Sequence, residues 1–507
     1  MPTSTLPLDF PAVAGRTVTA VCDGGDVTSD AGGLLLKPAD IKLQLPPRLA
    51  EACRAGRQAR KVEHTLLAML QARIFGSAQG DEDGNDFDRV KSDPGCKVAC
   101  DRLPATGTDR ASQPTLSRFE NARMSTELVR MGATLMATAG AHLPRNPKRG
   151  VIDVDPTDAP CHGQQQLSFF NGFYDAHCYL PLQVTVQGDG GRQWPAAALL
   201  RSGKAGPTVG LASGLRPLGR AIRRQCPRAR IALRADSSFG CDAVLRLCHA
   251  RALDYTLGLK SNAVLERLTT CVKAKLAAQV AQARTAAPDD PHAGDGLRVY
   301  QLFPYQAGSW ARWERGGLRA EWTRGTSTPR FILTNRIDLT GREAYLHYCG
   351  RGAGENRIKE FKRDLAGGRT SCHRCLANQC RLLLHLAAAV LLAVLQDALA
   401  GTPLASAQMG TRRTRLLKVG AQVGQTCRRI WFHLPTSFPA QALWARLCQR
   451  LTCGPTGRES GAQDTGGTPS GGLAHVLRSC ERPKDVRSLV IRTISTVWQG
   501  EHITSRP

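Results

Sequence analysis

Acidic residues are scarce in this chain. Its 507 residues carry 42 Asp+Glu against 68 Lys+Arg, a net charge of +26 with pI near 9.9. Such an excess argues against a cationic partner and favours a polyanion, because each Lys or Arg laid on a phosphate releases counterions. Most of the excess is Arg, whose planar fork suits phosphate better than a point charge does. A membrane surface would also attract basic charge, but there is no juxtamembrane basic cluster or lipidation signal, so no membrane partner is expected. No basic segment followed by an apolar one opens the chain, so secretion is not expected. The 18 cysteines therefore read as free thiols in a reducing cytoplasm. Long hydrophobic runs are also missing. The most apolar, Leu382–Leu395, contains His385 and is too short for a confident membrane span, so it reads as a buried helix. Cys372, Cys375 and Cys380 lack a second Cys/His pair at zinc-finger spacing. In the acidic run Asp81–Asp86 the glycine stands in the wrong place for an EF-hand loop, and a capped turn is expected. No internal repeat is present.

The length allows two to four domains, and 42% hydrophobic content is enough to build cores. Residues 1–145 are mainly helical by periodicity after a strand-like lead at Arg16–Cys22. Within them, Ser112–Asn121 begins with capping residues and carries Arg118, a helix-turn-helix neighbourhood. Between residues 146 and 290, strands alternate with helices, the pattern of an α/β layer. The expected strands are Gly150–Thr157, Tyr179–Val186, 192–201, Ala229–Asp236 and Tyr255–Leu259; helices are expected at Gly214–Arg224, 241–251 and 263–286. Residues 291–341 read as a β-rich insertion holding Trp310, Trp313 and Trp322. Residues 342–400 return to helix, and 401–453 read as a hairpin from Leu416–Gly420 and Arg428–His433 followed by a helix. Residues 454–507 read as a low-complexity, disordered tail.

The chemistry gathers at three places. Asp153 and Asp155 lie at the end of one expected strand, on the same face by alternation. Asp236 ends a later strand, just before Ser237-Ser-Phe-Gly240. Acidic side chains at the C-terminal ends of neighbouring strands can converge in the crevice beyond a sheet. The third place is Tyr348–Lys362. Relative to Glu355, Arg351 lies four residues back, Tyr348 seven back and Lys362 seven on. On a helix these four share one face. Each acid could merely cap a turn, and the stripe could be a solvated face with spaced ion pairs. The order Asp, Asp, Glu on strand, strand and helix is harder to explain that way. Three such carboxylates could hold two Mg²⁺ ions, which take a few carboxylates together with water and phosphate oxygens.

These segments resemble DDE transposases of the IS1380 group, related to the IS4 type. The resemblance runs from about residue 55 to about 450. It rests on Ser112–Asn121, Ile152–Thr157, His162–Gly172, Leu233–Phe239, Glu355–Lys362 and Arg369–Arg374. The IS4-type signature Tyr-x2-Arg-x3-Glu-x6-Lys is met by Tyr348, Arg351, Glu355 and Lys362. The resemblance implies an RNase H-like core interrupted by a β-rich insertion, with the helical N-terminal region binding DNA. It implies Asp155, Asp236 and Glu355 as catalytic metal ligands for two Mg²⁺, with Mn²⁺ able to substitute. Asp153 stays the alternative to Asp155, because Pro156 departs from the small residue usual in Asp-x-Thr. Tyr348, Arg351, Lys362 and Arg118 are the implied DNA contacts. Trp310, Trp313 or Trp322 would stack on a flipped base. The implied reaction frees a 3′-OH at each terminal inverted repeat and joins it to target DNA, carried out by a homodimer in the bacterial cytoplasm, at the nucleoid. A non-catalytic DNA-binding derivative and a nuclease that cuts without joining are the rival readings.

Overall fold

The computed structural model describes residues 7–53, 62–144, 147–189, 191–290 and 292–452. The expected tail at 454–507 lies outside the described residues. The chain divides into two compact units, one from Met1–Phe119 with Leu391–Ser460, the other built around Glu120–Val390.

The second unit is built on an eight-stranded mixed sheet. In chain order its strands are β1 (Arg149–Pro156), β2 (Leu182–Gly188), β3 (Trp194–Leu199), β4 (Arg230–Ala235), β5 (Asp254–Leu259), β6 (Arg298–Tyr305), β7 (Glu314–Thr323) and β8 (Thr326–Thr334). Across the sheet they run β6-β7-β8-β5-β4-β1-β2-β3. β1, β4 and β5 are parallel and central; β2 and β3 extend the sheet antiparallel on one side, and β8, β7 and β6 do so on the other. The central strands are almost continuously apolar (Ile231-Ala-Leu-Arg-Ala235 is buried throughout), as strands covered on both faces must be.

Helices α1 (Ser125–Ala141), α2 (Leu211–Gln225), α3 (Asp242–Ala250), α4 (Thr270–Ala286), α5 (Gly341–Cys349), α6 (Arg351–Asp364) and α7 (Cys375–Ala398) accompany the sheet. The expected single helix at 263–286 breaks at Thr269, whose buried hydroxyl donates to Glu266 O at 2.6 Å; Ala263–Leu268 is a separate turn of helix. α7, the apolar run, is long and apolar enough to cross a membrane, but its apolar window is wholly buried in the protein.

The antiparallel strands at 298–334 continue the central sheet. Their middle strand, Glu314–Thr323, carries Arg315, Gly316, Gly317 and Arg319, which blur its alternation. α5 lies on this meander: Tyr345 and Ala344 pack on Ile332, flanked by Tyr300, Leu339 and Tyr348, with the Arg319 guanidinium 4.8 Å over the Tyr345 ring. Glu314 accepts from the Tyr255 hydroxyl and pairs with His249 on α3 at 2.7 Å, fastening the start of β7 to the parallel strands.

In the first unit, an early segment of the chain interlocks with one near residue 420. Strand Val27–Thr28 pairs with Ala421–Gln425, and Gly32 packs so closely on Leu417 that a Cβ would stand 2.2 Å from its Cα. The lead strand at Arg16–Ala20 is present, paired with Leu8–Val13. Leu416 and Leu417 end a helical turn, and the hairpin strand starts only at Ala421. Asp86 accepts from the backbone N–H of Glu82 and Asp83, making the acidic run the capped turn expected. Asp30, Asp93 and Cys96 bring their ligand atoms within 4.8 Å of one another. Each is already committed: Asp93 caps the Cys96 N–H, Asp30 pairs with Lys418, and the Cys96 thiol, whose pKa burial raises, donates to Gln79.

Leu233 is fully buried in β4, three residues before Asp236. Leu233→Ala is expected to cost about 2–5 kcal/mol, read as a lowered denaturant midpoint.

Candidate active site

Register decides where the acids meet. β1 and β4 are parallel and pair Asp153 with Arg234, an offset of 234 − 153 = 81. The same offset carries Asp236 beside Asp155, since 236 − 155 = 81. Side chains at matched positions of neighbouring strands project from the same face. One level of this ladder therefore pairs opposite charges, and the next, at the C-terminal ends of both strands, sets two carboxylates side by side.

The lower level is buried. Asp153 is 4% exposed; Arg234 Nε and Nη2 donate to its two oxygens at 2.5 and 2.7 Å, and Gln193 Nε2 donates to Oδ2 at 2.7 Å. Both oxygens are thus occupied. The third arm of Arg234, Nη1, donates to His347 O at 2.9 Å, at the end of α5.

That contact divides the expected Tyr348–Lys362 helix. α5 stops at Cys349 and α6 starts at Arg351. At Gly350 between them, a Cβ would stand 2.2 Å from Arg234 Nη1. Tyr348 therefore lies on α5, and Arg351, Glu355 and Lys362 on α6.

The upper level is half-buried. Arg351 reaches from α6 to Asp155 Oδ2 at 3.4 Å and to Glu355 Oε1, one turn on, at 2.6 Å. Burial pushes the Asp155 carboxyl up to about 7; Arg351 opposes this, while Asp236, Glu355 and Asp153 add to it. Asp236 accepts from Ser238 N at 2.9 Å and Ser238 Oγ at 2.5 Å, which sets the carboxylate at the mouth of the turn. The three acids therefore act on one another electrostatically, with a single guanidinium between two of them.

Tyr348 reaches from α5 towards β5, where a Cβ on Gly258 would stand 2.8 Å from its hydroxyl. Arg351 lies 5.7 Å over its ring. Burial raises the phenol's pKa, so it is a neutral donor. Lys362 ion-pairs with Asp158 at 2.8 Å. Tyr174, at the end of a small hairpin after β1, lies where the charges of Asp158, Asp155 and Asp236 raise its pKa, after burial. Arg118 is exposed on Gln113–Asn121 in the first unit, at 3.4 Å from Thr115 Oγ1.

The tryptophans separate by exposure. Trp310 is 8% exposed and edge-on to Tyr305 at 5.3 Å, packed in the core of this segment. Trp313 is 68% exposed, beside Phe303 and Arg315. Trp322 has Arg284 5.9 Å from its ring.

A family model described as the group 1 transposase DDE domain matches residues 10–455. The chain belongs to this DDE transposase family. No curated relative matches it. Transposase function and DNA binding follow from the family, and Asp155 near the end of β1, Asp236 just after β4 and Glu355 on α6 are this transposase's candidate centre. Sequence reasoning missed Arg234, Gln193 and Asp158. The signal for Arg234 lay in spacing: it precedes Asp236 by two, as Asp153 precedes Asp155, so parallel in-register pairing of the two strands would have matched them.

A carboxyl raised above its unfolded value near 3.9 stabilises the fold while protonated, and that contribution is lost as pH climbs through its folded value. For Asp155 this window ends near pH 7. Without divalent ions, Asp155→Asn is expected to raise the melting midpoint at pH 8 by roughly 2–4 °C, the shift about 1 kcal/mol gives in a domain of 150–250 residues, and to raise it by less at pH 5, inside the window. Differential scanning fluorimetry at both pH values checks this.

Proposed function

We propose that this protein is an insertion-sequence transposase of the IS1380 group, cutting DNA at its own terminal inverted repeats and joining the freed 3′-OH ends to target DNA. The observation that carries the proposal is the parallel register of β1 and β4, whose continuation by one residue sets Asp236 beside Asp155, where its charge raises the Asp155 carboxyl, with Glu355 tied to Asp155 through Arg351. The order β3-β2-β1-β4-β5, with β1–β3 antiparallel and β4 and β5 parallel to β1, supports an RNase H-like core. The strands at 298–334, between β5 and α5, support the inserted β-rich segment.

The donor set fits divalent metal. Asp155, Asp236 and Glu355 are all-oxygen ligands, and the Asp155 carboxyl stays raised although Arg351 offsets part of the burial and of its acidic neighbours. Bound there, two Mg²⁺ or Mn²⁺ would supply the positive charge that favours an attacking hydroxide and a leaving alkoxide. In end cleavage a water oxygen bonds to phosphorus as the P–O3′ bond breaks, leaving a 3′-OH. In joining, that hydroxyl bonds to a target phosphorus and a target P–O3′ bond breaks. Arg351 and Lys362, held in the free protein by Asp155, Glu355 and Asp158, exchange those carboxylates for DNA phosphates. Tyr348 donates a hydrogen bond to a phosphate oxygen. Trp313 offers the open ring for stacking on an unpaired base. Asp153, with both oxygens occupied, serves the fold, and Asp155 is the first acid. Arg118 and the helices around it contribute to end recognition. The protein acts as a homodimer on paired ends in the cytoplasm.

In an assay with inverted-repeat duplex, target plasmid and Mg²⁺, Asp236→Asn and Asp155→Asn should both lower cleavage at least 100-fold while end binding survives. Retained cleavage would remove the residue from the centre, and cut ends that are never joined would make the protein a nuclease. Asp153→Asn should instead mainly lower stability, by about 3–5 kcal/mol, the cost of leaving a buried Arg without its partner. Arg351→Ala should reduce joining at least ten-fold, measured as joined product per cut end.

A further inference from the structure

We infer that Arg234 is the positioning residue for the catalytic Glu, setting where the Glu355 helix stands over Asp155 and Asp236; this rests on the proposed metal centre. Arg234 is 4% exposed and its three donor arms go to two elements. Two bind Asp153 on β1, and the third binds His347 O at the end of α5. In an unbroken helix His347 O would accept the Arg351 N–H, four residues on. Here the guanidinium takes that place at the carbonyl. The chain can pass it only because residue 350 has no side chain. Gly354 then lies against the same pair: a Cβ there would stand 3.4 Å from Asp153 Cβ and 3.5 Å from Gln193 Nε2. Glu355 is the next residue. The Asp153–Arg234 pair therefore touches α6's lead-in on one side and the turn carrying Glu355 on the other.

Burial makes the device stiff. A guanidinium with three good acceptors out of water has one geometry, whereas a lysine at 234 could keep its charge beside Asp153 but not the fork or the reach to His347. His347 itself stays neutral: burial lowers its pKa to about 4, helped by Arg234, Arg336 and Arg149. Its ring lies 3.1 Å from the Thr256 hydroxyl on β5, a second tie between α5 and the sheet.

The test reads metal binding directly, as free Mn²⁺ by electron paramagnetic resonance in titrations of the full chain without DNA. Arg234→Lys and Gly350→Ala are made separately, with Glu355→Gln as reference. Gly350→Ala keeps Arg234 and installs a better helix former, so it reports on the helix break even if Arg234→Lys fails to fold. Both variants should weaken Mn²⁺ binding at least ten-fold, approaching Glu355→Gln, and should cleave inverted-repeat DNA with saturating Mn²⁺ better than with Mg²⁺. A merely structural role would lower the melting midpoint and leave Mn²⁺ affinity alone. Mn²⁺ affinity within two-fold of the parent in Gly350→Ala, whatever Arg234→Lys does, overturns the inference. If Glu355→Gln also binds Mn²⁺ normally, the metal centre itself is refuted.

Discussion

A buried Asp–Arg pair, Asp153 with Arg234, underlies the geometry of this centre. Ion pairs cut off from water contribute little net stability, but their orientation is demanding, because every unfilled donor costs energy. Here the pair satisfies that demand by bridging neighbouring strands and capping the carbonyl end of α5. Two residues further along, just past the last pair of the ladder, Val154 with Ala235, stand Asp155 and Asp236. The lower pair thus holds in register two strands whose ends carry mutually repelling carboxylates.

That repulsion is a stored electrostatic cost. Burial and three neighbouring acids raise Asp155, and Arg351 relieves only part of it. Active sites commonly give up stability in this way, so that a ligand with the complementary charge binds strongly. In the free protein the basic residues beside the centre are paired with carboxylates: Arg351 with Asp155 and Glu355, Lys362 with Asp158. Their charge is held in place beside the centre instead of dispersed on long side chains in water.

The strands at 298–334 show how one segment can be both fold and surface. Trp310 fills a core with Tyr305, and three residues later Trp313 stands open to solvent. Glu314, next in the chain, is buried and bound to Tyr255 and His249.

Local sequence determined much of this protein. Strand alternation, helical periodicity and the residue types at 155, 236 and 355 were enough to read an α/β layer, a β-rich stretch after it and three candidate acids. They also marked the family, since its motifs are short and contiguous. Other features depended on contacts between distant segments. Asp153 and Asp155 share a strand and a face, and only the partner strand distinguishes them: Arg234 stands beside one and Asp236 beside the other. The break at Gly350 is invisible to periodicity because its cause, the Arg234 guanidinium, lies 116 positions earlier in the chain. Trp310 and Trp313 have the same chemistry in sequence and differ only in what packs on them. Periodicity records which face of an element is apolar; which residue meets which across that face is decided by register and packing, and those exist only once the chain has folded.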